Sequence, residues 1–159
     1  MRRTGRLAVT VAAVGLFSSG PMVAAAGSST TTQARDAVVF FGDSLTAGYG
    51  LEPEEAYPAL IGERMRTEGF AFDVVNAGVS GETTAAGARR VAWVLRRPAA
   101  VFVIALGGND GLRGIPPAET ERNLQSIIDA VRRNQPRARV ILAGMEAPPK
   151  PPSGSSGRM

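Results

Sequence analysis

Histidine and cysteine are both absent from the chain, and Lys150 is its only lysine. Without cysteine there are no disulfides, no thiolate catalysis and no Cys-ligated zinc. Without histidine the chain lacks the side chain that most often acts as general base near neutral pH. Aromatic residues are scarce at 6%, and no basic block is interleaved with them, so no nucleic-acid partner is expected. The formal charge of +4 carries little weight. Arg2, Arg3 and Arg6 stand in a segment expected to be removed; taking those three from 18 basic residues leaves 15 against 14 acidic ones. What remains is the composition of a soluble globular protein, 44% hydrophobic and 20% charged, with 159 residues to build one domain.

Residues 1–26 read as a secretory signal peptide. Arg2, Arg3 and Arg6 give the positive start, residues 7–17 the apolar stretch, and Ala24, Ala25 and Ala26 the small residues of a cleavage site. The apolar stretch is too short for a stable membrane anchor. Export is therefore expected, to the periplasm or the medium. Residues 27–35 form a polar, flexible lead-in, residues 36–149 the domain, and residues 150–159 a disordered Pro/Ser/Gly tail.

The chain is organised around residues 38–50, VVFFGDSLTAGYG. Val38, Val39, Phe40 and Phe41 form an apolar run without polar alternation, which is how a strand buried on both faces reads. Asp43 and Ser44 follow where that strand turns towards a helix. Residues 52–69 carry a helical pattern with Tyr57, Leu60, Ile61 and Met65 as its apolar stripe. Glu54 and Glu55 are expected in its first turn and Gly69 at its end. Residues 72–75 make a second strand closed by Asn76, Ala77 and Gly78. Residues 83–97 make a helix with Ala88, Val91, Val94 and Leu95 inward and Arg89, Arg90, Arg96 and Arg97 on a solvated face. Residues 101–106 form the most apolar strand. Pro116 and Pro117 open a helix through Arg133, cored by Leu124, Ile127, Ile128 and Val131. Residues 140–143 give a fourth strand. This β-α-β-α-β-α-β order predicts a parallel sheet covered by helices on both faces. Three polar, Gly-rich turns then share one sheet edge: residues 42–44, 76–83 and 107–110.

A hydroxyl nucleophile needs a base and donors for the developing oxyanion. Ser44 can supply the hydroxyl and its own N–H, Gly81 an unobstructed N–H, and Asn109 a side-chain donor. Each has a bland alternative: a helix cap at Asp43 or Ser44, a turn glycine at Gly81, an Asx turn at Asn109. All three together at successive strand ends are harder to explain that way.

The blocks Gly42-Asp43-Ser44-Leu45, Asn76-Ala77-Gly78-Val79-Ser80-Gly81-Glu82-Thr83 and Gly107-Gly108-Asn109-Asp110 resemble the first three blocks of the SGNH (GDSL) hydrolases. The wider matches GDSLTAGYG and LGGNDGLRG are similar to the secreted arylesterase, thioesterase and lysophospholipase branch. The resemblance implies a flavodoxin-like three-layer α/β/α sandwich and ester or thioester cleavage through an acyl-enzyme. It implies Ser44 as nucleophile, with the Ser44 N–H, the Gly81 N–H and the Asn109 side chain as oxyanion donors. Asp43 and Asp110 would brace the loops. No metal or organic cofactor is implied, and the substrate is a small-molecule or lipid ester. The family's fourth block, Asp-x-x-His, has no counterpart here, and the last strand and helix of the fold are missing with it. Such an ending is expected of a truncation or a shifted reading frame. Lys150 is the only alternative amine base, and it stands in the tail. The expectation is a serine ester hydrolase that is inactive or crippled in this chain. The alternatives are a non-catalytic ester- or acyl-binding protein and an inert fragment.

Overall fold

The computed structural model describes residues 36–145. The expected signal peptide, the lead-in, the tail with Lys150, and residues 146–149 of the expected domain lie outside the described residues. Strands β1 (Ala37–Gly42), β2 (Asp73–Gly78), β3 (Val101–Ala105) and β4 (Arg139–Leu142) form one parallel sheet in the order β2-β1-β3-β4. Between them run helices α1 (Ser44–Ala47), α2 (Tyr57–Thr67), α3 (Thr84–Val94), α4 (Gly108–Leu112) and α5 (Pro117–Asn134). The strand order is that of the flavodoxin-like sandwich.

Alternation along the strands sorts the side chains into two cores. Ala37, Val39, Phe41, Phe102 and Ile104 pack with Val91, Val94 and Leu95 at α3 and Ile127 and Val131 of α5. Val38, Phe40 and Val103 face the other way, onto Tyr57 and Met65 of α2. Right-handed crossovers account for this division. The β1–β2 connection runs one way along the sheet; the β2–β3 and β3–β4 connections run the other, so α3 and α5 share a face opposite α2.

Three local expectations need correction. The helix expected from residue 52 begins at Tyr57, with buried Ala56 as its N-cap and Pro58 in its first turn; Glu54 and Glu55 precede it. Pro58 favours a helix start because its missing N–H has no partner there. Leu60 and Ile61 of the expected stripe are exposed, and α2 meets the sheet through Tyr57 and Met65 instead. The second strand runs through Gly78 instead of ending at Val75, because Asn76, Ala77 and Gly78 stay in register with Phe40, Phe41 and Gly42.

Candidate active site

Because the sheet is parallel, the carboxyl ends of β1, β2 and β3 lie on one edge. Ser44 follows β1 and Asn109 follows β3. The chain leaves β1 towards one side of the sheet and β3 towards the other, which makes this pair of strand ends the switch point where such sheets hold ligands. Ser44, Gly81 and Asn109 all belong to segments that leave this edge. All three parallel turns expected from the sequence are there.

The first turn is built by Asp43. Its buried carboxylate accepts the Leu45 N–H at 3.1 Å and caps α1, leaving Ser44 as the first residue of that helix, half-buried. The cap is therefore Asp43, and Ser44 is free of that duty. Thr46 Oγ1 shares a hydrogen bond with the Tyr57 hydroxyl at 2.9 Å, and the Tyr57 ring meets Phe40 edge-on at 5.5 Å, so α2 steadies the helix that carries Ser44. Asn76 Nδ2 donates to the Thr46 carbonyl at 2.7 Å while its Oδ1 accepts from the Gly78 N–H at 3.0 Å. β2 and α1 touch so closely that a Cβ at Gly78 would stand 2.2 Å from the Ala47 nitrogen.

The second turn is pinned at its start by Val79 N–H donating to the Gly42 carbonyl at 2.9 Å. Gly81 then takes φ +77°, in the left-handed region that glycine enters without strain. Arg113 Nη2 donates to the Gly81 carbonyl at 3.0 Å, and Asn109 Nδ2 donates to the Glu82 carbonyl at 3.0 Å. An amide NH₂ has two hydrogens. The Glu82 carbonyl takes one and fixes the plane of the Asn109 amide; the second remains for another acceptor. The Asx-turn reading of Asn109 does not hold, since its side chain reaches across to another turn. Among the described residues, the backbone bonds of the turns use neither the Ser44 nor the Gly81 N–H.

The third turn is anchored by Asp110, 1% exposed. Its carboxylate accepts the Thr84 N–H at 2.9 Å, the Thr84 hydroxyl, and the Thr120 hydroxyl at 3.3 Å. Asn123 Nδ2 reaches the same Thr84 hydroxyl at 3.2 Å. The start of α3 is thus tied to α4 and α5. Asp43 Oδ2 lies 3.4 Å from where a Gly108 Cβ would stand, which sets the first turn against the third.

Asn76, Glu82, Thr84, Arg90 and Arg113 complete this frame, and none was given a role at the site from the sequence. Arg90 is also a correction. It was expected on the solvated face of its helix, yet it lies against Phe41, its guanidinium carbon 4.4 Å from the ring centroid, paired with the buried Glu82. A legible signal existed: Arg90 stands three residues after Gly87 and four before Val94, both buried on the inner face. No group of three or more acidic residues placed to hold a metal occurs among the described residues.

Residues 40–158 match the profile of the GDSL-like lipase/acylhydrolase family. Esterase TesA of Pseudomonas aeruginosa is 40% identical over 121 residues, covering 76% of this chain and 59% of that protein. Thioesterase 1/protease 1/lysophospholipase L1 of Escherichia coli K12 is 39% identical over 100 residues, covering 62% of this chain and 47% of its own length. The solved structure of AlinE4, an SGNH-hydrolase family esterase, superposes with a TM-score of 0.68 at 43% identity, over 72% of this chain and 61% of that one. The chain spans 47% to 60% of the length of the curated relatives it matches.

Proposed function

The chain belongs to the GDSL-like lipase/acylhydrolase family, and we propose that its three strand-end turns form a carboxylic-ester hydrolase site with Ser44 as nucleophile. The observation that carries this reading is the Asn109 amide, held by the Glu82 carbonyl with one hydrogen to spare, on the edge that also carries Ser44. Ser44 Oγ attacks the ester or thioester carbonyl, and its proton passes to solvent water, since these 159 residues hold no histidine. The carbonyl oxygen becomes an oxyanion facing the Ser44 N–H, the Gly81 N–H and the free Asn109 hydrogen. Collapse expels the alcohol or thiol and leaves the acyl group on Ser44; water then releases the acid. Aryl esters, acyl thioesters and lysophospholipids are the substrate classes, and neither metal nor organic cofactor takes part. Asp43 and Asp110 hold the loops and do not touch substrate. Export, read from Arg2, Arg3, Arg6 and the apolar stretch behind them, belongs to the same proposal.

The Ser44 proton finds no imidazole within these 159 residues. Hydrolysis by this chain alone is therefore slow. In serine hydrolases that lose a triad member, oxyanion hole and binding still leave roughly 10³–10⁴-fold over water. The same absence favours a second reading, a pocket that binds esters or acids without turning them over.

Mixing the full chain with p-nitrophenyl butyrate separates these readings. The hydrolase reading expects slow p-nitrophenolate release and a butyryl group on Ser44 by mass spectrometry. Both disappear in Ser44→Ala, and the rate falls by roughly 10²–10³ in Asn109→Ala. Saturable binding without acylation, weakened in Asn109→Ala, selects the binder. Neither acylation nor binding sinks both.

A further inference from the structure

Arg90 and Glu82 form a buried ion pair that the reaction just described does not use. The Arg90 side chain is 22% exposed and that of Glu82 4%. Arg90 Nε donates to Glu82 Oε1 at 2.8 Å and Nη2 to Glu82 Oε2, a planar two-pronged grip, while Nη2 also donates to the Ala77 carbonyl at 2.9 Å. The Phe41 ring backs the guanidinium. Ala77 and Glu82 are the two shoulders of the turn that contains Gly81. Arg90 thus spans that turn from α3, as a tie across its base.

A buried ion pair is a poor device for stability alone, because apolar residues of similar volume often do as well or better. Its advantage is directional, since the rigid fork fixes where the carboxylate sits. Here the fixed residue follows Gly81, and its carbonyl orients the Asn109 amide at 3.0 Å. We propose that Arg90, acting through Glu82, is a positioning residue that sets two of the three oxyanion donors, the Gly81 N–H and the Asn109 amide. This role rests on the ester-hydrolase reading. Oxyanion donors act on the transition state and leave the bound ester almost untouched, so loosening them lowers the maximal rate and spares half-saturation.

The test compares the full chain with Arg90→Lys, Glu82→Gln and the double variant Arg90→Met/Glu82→Leu, which buries no unpaired charge. Acylation by p-nitrophenyl butyrate is followed as a function of its concentration, a urea melt reports folding, and NMR follows the Asn109 side-chain amide. Expected are cooperative melts, a maximal acylation rate lowered roughly 10- to 100-fold, and an unchanged half-saturating concentration. The Asn109 amide resonances shift and exchange faster with water. Arg89→Lys, on the exposed face of the same helix, behaves as wild type. The proposal is overturned if the folded double variant acylates at the wild-type rate, or if rate loss merely follows the unfolded fraction. Should wild type acylate no faster than Ser44→Ala, the ester-hydrolase reading has failed on its own account. The tie is then judged by NMR: a displaced Asn109 amide sustains it, and an unmoved one overturns it.

Discussion

Asp110 shows how much one carboxylate can hold at this edge. Buried to 1% exposure, it collects a backbone N–H and two hydroxyls from two helices. Truncating it leaves those donors buried without an acceptor, and such a loss costs more than the bonds themselves contributed. Asp110→Ala is expected to lower unfolding stability by about 3 kcal/mol, read as an earlier urea midpoint at unchanged slope. Asp110→Asn keeps one acceptor oxygen and loses less. An unchanged midpoint in the alanine variant would show that water takes over the Thr84 donors. Asp110 was read as a brace only through the resemblance of Gly107-Gly108-Asn109-Asp110 to the family's third block. Arg90 was legible only through its spacing to Gly87 and Val94, whereas residue type alone groups it with Arg89, Arg96 and Arg97. The register of α3 on the sheet then turns it towards Glu82.

At the scale of elements, the contact between β2 and α1 governs where Ser44 stands. A methyl group at Gly78 would meet the Ala47 backbone at 2.2 Å, and backbone cannot yield as a flexible side chain does. Gly78→Ala is expected to cost about 1–3 kcal/mol in a urea melt and to push α1 away from the sheet. Acylation of Ser44 should then fall further than the folded fraction does; a fall in simple proportion would show that α1 keeps its place. The strands were the most legible elements, since short β-branched and aromatic runs such as Val38-Val39-Phe40-Phe41, ended by Gly42, read as strands buried on both faces. α2 was less so. Its apolar residues at Leu60 and Ile61 have the spacing of an inward stripe, but the helix presents Tyr57 and Met65 to β1 and β2 and leaves those two exposed. Periodicity finds a helix; which side docks depends on the partner surface.

At the scale of the sheet as a whole, its two faces are unequally covered by the described residues. Among these, eleven buried hydrophobic residues make up the α3/α5 side and three the α2 side. Among the described residues β4 is an edge, with Ile141 and Leu142 each 51% exposed and Met145 61% exposed beside them. An apolar edge with free backbone groups templates pairing with another chain. Sedimentation or light scattering is expected to show association that grows with concentration, and Ile141→Lys to reduce it while barely moving the melting midpoint. Association untouched by that change would place the contact elsewhere.

The strand order also separates Ser44 from its supports along the chain. Among the described residues β1 is the first strand in sequence and lies inside the sheet, with β2 and β3 as its two neighbours. The Ser44 turn therefore has one flank from β2 and the other from β3, both of which follow it in sequence. A change far downstream of Ser44, in either later strand, can displace it as surely as a change beside it.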